Sequence, residues 1–143
     1  MVKFWDTSAI IPLTVIEPST AVVRSILESD TSMAVWWATR VECSSALARL
    51  LREGEGSKNT VRDARRVIAA LAKEWTEVLP TEALRKRAER SLAVHSLRAA
   101  DALQLAAAMV WARDDPGGHA FVCLDDQLRD AANREGFQLL PGS

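Results

Sequence analysis

Val2-Lys3-Phe4-Trp5-Asp6-Thr7-Ser8 is a short apolar run that stops at three residues of helix-capping type. The run reads as a strand and the stop as the start of a helix. The same event recurs late in the chain, where Ala120-Phe121-Val122-Cys123-Leu124 is followed by Asp125 and Asp126. Between these two points strand and helix signals alternate. Pro12 and Pro18 are predicted to bound a short first helix, and Val22, Val23, Ile26 and Leu27 place a second over Ser19–Leu27. Met33–Trp37 reads as a strand. Thr39 is predicted to cap a helix with a Leu47, Leu50, Leu51 stripe that ends near Glu53, before Gly54 and Gly56. Ser57–Trp75 is amphipathic, Val78-Leu79-Pro80 is a short strand candidate, and Thr81–Val94 and Ala99–Arg113 are helical. Asp114–Gly118 is a loop, Asp126–Glu135 a helix closed by Gly136, and Phe137–Leu140 a last strand. Alternation of this kind predicts an α/β fold, a parallel central sheet with helices on both faces, in one domain over residues 1–143.

Composition agrees with that reading. The chain has 143 residues, 48% hydrophobic and 26% charged, which is globular usage and excludes a disordered chain. Net charge is -1, so no global basic field points to nucleic acid, and a polyanion would need a local patch. Cys43 and Cys123 both lie in apolar runs without metal-ligand spacing, as buried thiols of a reducing compartment would. Asp6 interrupts any signal-peptide core, and no apolar run approaches the roughly 20 residues of a membrane span. The expectation is a cytoplasmic protein with no membrane partner.

Ligands of open α/β sheets bind beyond the carboxyl ends of the strands. Asp6 and Asp125 or Asp126 follow strands and would project there, although each is also a good helix cap. Asp101 is more informative. Between Ala99 and Ala112 the only polar residues are Asp101 and Gln104, so this helix reads as buried, and an ionised carboxylate on it needs a partner or a cation. Glu42, at the edge of the Leu47 stripe, reads equally as a solvated first-turn acid. Gathered at one sheet edge, Asp6, Glu42, Asp101 and Asp125 would repel one another, and a hard divalent cation would relieve the repulsion. Carboxylates without His or Cys favour Mg2+ or Mn2+, ions suited to phosphoryl chemistry.

Four segments together resemble the PIN-domain ribonucleases of the VapC toxin type, over nearly the whole chain. They are Phe4-Trp5-Asp6-Thr7-Ser8-Ala9, Arg40-Val41-Glu42, Leu97–Ala106 with Asp101, and Phe121–Leu128. In the last, the family spacing of an acid, two residues and then Leu, here Leu128, selects Asp125 over Asp126. The resemblance implies a PIN-like fold and Mg2+- or Mn2+-dependent cleavage of RNA. Asp6, Glu42, Asp101 and Asp125 would hold the metal, and a metal-activated water would leave 5′-phosphate and 3′-hydroxyl ends. It also implies a homodimer and a cognate antitoxin that covers the acidic site. The family usually has Thr or Ser where this chain has Cys123, a change in a supporting hydrogen bond.

Phosphate contacts would need local cations. Arg62, Arg65 and Arg66, and Arg85, Lys86, Arg87 and Arg90, are interleaved with acids and read as solvated helix faces; Arg98, beside Asp101, is the better candidate. Of Trp36 and Trp37, one is expected in the core and the other at an interface or against a base. Trp5, Trp75 and Trp111 read as core, and His95 and His119 as unlikely ligands. A haloacid-dehalogenase-like phosphatase would want an acid where Ser8 stands and a late Lys, yet no Lys follows Lys86. A receiver domain fails for a similar reason. The remaining rival is a PIN-like module that binds RNA or protein without cleaving.

Overall fold

The computed structural model describes residues 1–142. Five strands form one sheet: β1 (Lys3–Trp5), β2 (Met33–Trp36), β3 (Thr76–Val78), β4 (Ala120–Val122) and β5 (Gln138–Leu140). Their order is β3-β2-β1-β4-β5, and every pair is parallel. Seven helices flank the sheet among the described residues: α1 (Thr7–Thr14), α2 (Thr20–Ser29), α3 (Thr39–Arg52), α4 (Lys58–Glu74), α5 (Glu82–Val94), α6 (Ala99–Trp111) and α7 (Asp126–Glu135). The α/β architecture with a parallel sheet flanked on both faces is as the sequence predicts.

Alternation along the strands divides the core in two. Phe4, Ala34, Trp36 and Phe121 point to the side packed by α5, α6 and α7, with Leu84, Leu105 and Leu128 among their buried partners. Trp5, Met33, Val35 and Val122 point to the side packed by α1 to α4, with Ile10, Val23, Leu47 and Ile68. The apolar run in α6 has the reason its sequence suggests: Ala102 and Gln104 through Met109 are all buried.

Four local expectations are corrected. Pro12 does not end the first helix but lies buried in its second turn. So near an amino terminus its missing N–H removes only one helical bond, and its carbonyl accepts from Thr20 Oγ1 at 2.7 Å. The third strand is Thr76–Val78, two residues earlier than Val78–Pro80, since these residues align with Ala34–Trp36 and Pro80 has no N–H to give a ladder. Thr39 is not the cap of α3. Ala38 takes that place without a side-chain bond, because the buried Thr39 hydroxyl faces Gln104 instead. Trp37 lies just outside β2, although its N–H still donates to Val78 O at 3.0 Å.

Gly136 ends α7 at φ 111°, a left-handed conformation that L side chains rarely adopt, and a Cβ there would stand 3.2 Å from Pro116 Cγ. No helix among the described residues is long and apolar enough to cross a membrane.

Candidate active site

Beside the central strand the chain order reverses: β2 and β3 extend the sheet on one side of β1, β4 and β5 on the other. The crevice at the carboxyl ends of β1 and β4 is where an open α/β sheet binds its ligand. Asp6 follows β1 and caps α1, and Asp125 caps α7 just beyond β4. Glu42 and Asp101 sit in the first turns of α3 and α6. The four predicted acids therefore come from four helix starts, and their charges act on one another: Glu42 on Asp6, and Asp125 and Glu42 on Asp101.

Asp6 is the most constrained. Only 5% exposed, it accepts from Ser8 Oγ at 2.5 Å and Ser8 N at 3.2 Å, both on Oδ2. Cys123 Sγ stands 3.5 Å from the same oxygen. Burial pushes the Asp6 carboxyl up to about 6; the Ser8 bonds pull it down and the Glu42 charge raises it. Burial also holds the Cys123 thiol well above its ordinary range, so it stands protonated beside the carboxylate, in the place expected for a supporting hydrogen bond. Asp101 is raised by partial burial, then by Asp125 and Glu42, with Arg98 opposing. Asp125 Oδ1 accepts from Gln127 N at 3.0 Å and Leu128 N at 3.3 Å, so it serves as a cap as well as a site acid. Asp126, exposed at the first position of α7, has no comparable engagement.

Ser8 ties the two halves of the crevice. Its hydroxyl donates to Asp6 and accepts from Leu124 N at 2.9 Å, joining α1 to the residue after β4. Ser8→Ala should lower stability by about 1–3 kcal/mol, the cost of a buried donor and a carboxylate each losing a partner. Urea unfolding at neutral pH measures it.

Two polar residues to which the sequence alone gives no role complete the arrangement. Thr7 Oγ1 donates to Glu42 Oε1 at 2.6 Å. Gln104 Nε2 lies 2.7 Å from Glu42 Oε1, 3.1 Å from Thr39 Oγ1 and 3.3 Å from Thr7 Oγ1. The signal for Gln104 is its place three residues after Asp101, on the same face of an otherwise apolar helix.

The remaining oxygens are available. Asp6 Oδ1, Glu42 Oε2 and Asp125 Oδ2 accept no hydrogen bond among the described residues, and no hydrogen bond contributes to the Asp101 shift. An all-oxygen set of this kind fits a hard divalent cation. Among the described residues no three acidic, His or Cys side chains are drawn close enough to form a ready coordination shell.

The other predicted groups fall outside this cluster or at its rim. Arg98 precedes α6 with an exposed side chain. Arg62 and Arg66 both lie beside Asp63 at 3.4 and 3.9 Å, Arg85 pairs with Glu82, and Arg87 with Asp114 at 2.9 Å. Trp36 is buried and packs edge-on against Trp37, which is 51% exposed. His95 is bound to Glu135 at 2.7 Å.

A solved toxin–antitoxin complex from Klebsiella pneumoniae shares the fold, with a TM-score of 0.62 and 15% identity over 87% of this chain and 88% of that one. FitAcB from Neisseria gonorrhoeae gives 0.66 and 16%, over 97% and 96%. FitAB bound to an IR36 DNA fragment gives 0.63 and 17%, over 98% and 94%. At these identities the likeness is one of fold. No curated protein matches the chain. The family model for the PIN domain matches residues 3–132, a span that takes in all four acids. The chain belongs to the PIN domain family.

Proposed function

We propose that this chain is a metal-dependent endoribonuclease, the toxin of a toxin–antitoxin pair. The observation that carries the reading is the set of acids itself: four carboxylates stand at four helix starts, burial raises Asp6 and Asp101, and acidic neighbours within the set raise both further. Helix capping rewards Asp6 and Asp125 singly, but burying carboxylates near one another costs stability, and a cation would relieve that cost. Membership of the PIN family, and solved relatives that are toxin–antitoxin complexes, support it.

Asp6, Glu42, Asp101 and Asp125 would hold Mg2+ or Mn2+. Such an ion supplies Lewis-acid polarisation of a phosphodiester and a lowered pKa for the attacking water. The chain's own residues do the rest. Ser8 orients Asp6 and fixes α1 against the end of β4. Asp125, held by Oδ1 as the α7 cap, keeps Oδ2 free of hydrogen bonds among the described residues. Arg98 offers a cation at the rim for an RNA phosphate. A second protomer and an antitoxin segment covering the acids are the partners of this reading, with the half-exposed Trp37 as an interface residue.

Calorimetric titration with Mn2+, wild type beside Asp101→Asn, tests it. Saturable wild-type binding is expected, weakened by more than about tenfold in the variant, since even outer partners of a metal act on that scale. At about 100 times the dissociation constant the ion should stabilise wild type by about 2.7 kcal/mol in a melt. RNA cleavage should then depend on the ion and stop with chelator. The spread of the acids favours one second reading, a module that binds RNA or protein without cleaving. RNA binding with neither Mn2+ binding at millimolar concentration nor cleavage would make that reading the better one.

A further inference from the structure

Gln104 is 1% exposed, in the middle of a helix whose only other polar residue is Asp101. A buried amide normally satisfies both its ends. Here the carbonyl oxygen Oε1 has no hydrogen-bond partner, while the NH2 group has three acceptors in reach. The two shortest are Glu42 Oε1 at 2.7 Å and Thr39 Oγ1 at 3.1 Å, and two hydrogens serve two acceptors. Turning the amide over would set Oε1 against the Glu42 carboxylate, oxygen against oxygen. The orientation that leaves Oε1 orphaned is thus the one the carboxylate demands. A Leu or Met at this position would fill the apolar core but give up the bonds to Thr39 and Glu42, so those two bonds are what Gln supplies.

We infer that Gln104 is a positioning residue for the acidic site. It clamps Glu42 Oε1 from below, together with Thr7, so that Oε2 is turned to the crevice and a cation. The inference rests on the metal-site reading of the acids and deepens it. Gln104 touches neither cation nor substrate; it acts through Glu42. The clamp also links two site elements, since Gln104 shares α6 with Asp101 and Glu42 belongs to α3. Fixing one Glu oxygen in advance lowers the ordering needed when a cation arrives.

The test is Mn2+ binding to the whole chain by calorimetry, with the melting temperature of the metal-free protein alongside. Gln104→Met keeps the length and shape of the side chain and removes the donor; Gln104→Leu is the second variant. Both should weaken Mn2+ about tenfold, and the metal-free protein should melt somewhat below wild type, because Thr39 Oγ1 and Glu42 Oε1 lose a donor while the orphaned oxygen goes. A purely structural Gln104 would lower the melting temperature and leave the Mn2+ affinity of the folded protein unchanged. In a Glu42→Gln background the Gln104→Met change should have little further effect on Mn2+, since the two act as one unit. Equal Mn2+ affinity of wild type and variants overturns the positioning role and leaves the metal site standing. Wild type that binds no Mn2+ removes the metal site and this inference with it. Failure of both variants to fold makes Gln104 a structural residue and overturns the inference alone.

Discussion

Asp6→Asn is expected to abolish Mn2+-supported RNA cleavage and at the same time to stabilise the metal-free protein. The loss of activity should be at least about 10³-fold, because several kcal/mol of transition-state charge stabilisation depend on an intact ligand set. The gain in stability follows from linkage. The Asp6 carboxyl moves from an ordinary 3.8 to about 6 on folding. Between those values the native state holds more protons than the unfolded chain, so wild-type stability falls as pH rises through that window and stays low above it. The full penalty is about 3 kcal/mol at pH 7.5 and about 1 kcal/mol at pH 4.5. Asn carries no charge, remains a good helix cap and still offers Ser8 an acceptor. The variant should therefore outlast wild type in urea at pH 7.5, by a margin that shrinks by about two-thirds at pH 4.5. A variant that cleaves at the wild-type rate sinks the site assignment. One less stable than wild type at pH 7.5 shows that Asp6 is bound into the fold by more than its charge.

Phe121→Ala should have the largest effect on the fold. Phe121 is fully buried in β4, with Phe4 at 5.3 Å and Phe137 at 5.5 Å between ring centroids. Truncating such a ring costs about 3–5 kcal/mol, against a total of roughly 5–15 kcal/mol for a domain. The melting temperature should fall by roughly 10–20 °C. The effect should also reach the crevice, since Cys123 and Asp125 hang from the carboxyl end of this strand. Calorimetric melting measures the first part. Metal affinity at a temperature where the variant is still folded measures the second, and unchanged affinity there would show that α7 holds Asp125 without help from β4.

Much of this was legible in the sequence, for identifiable reasons. The strand-then-acid events at Asp6 and Asp125 are local, and local chemistry fixed their place: both acids cap the next helix, and a parallel sheet sends both to one edge. Asp101 stood out because it interrupts an apolar helix. Thr7 and Gln104 were not legible as site residues. Their roles lie in contacts between α1, α3 and α6, which no spacing along one element encodes. The misplaced third strand had the same origin. Thr76 and Glu77 are polar residues of an edge strand, and only pairing with β2 makes them extended. Pro12 misled because a proline rule for helix interiors was applied within two turns of a helix start, where the rule is weakest. Arg62, Arg66 and Arg85 pair with acids of their own helices, as residues of solvated faces do.

The position of β1 between β2 and β4 has a consequence for synthesis on the ribosome. β1 is made first, but one of its two neighbours is made only after more than a hundred further residues. Until β4 arrives, the Asp6 N–H has no Val122 carbonyl, which it meets at 2.9 Å, and the Ser8 hydroxyl has no Leu124 amide. Asp125 is not yet in the chain at all. A nascent or prematurely terminated polypeptide can thus carry Asp6, Glu42 and Asp101 without assembling the cluster. The last acid to be translated is the one that closes it, so the order of translation itself delays the complete site until most of the fold has been made.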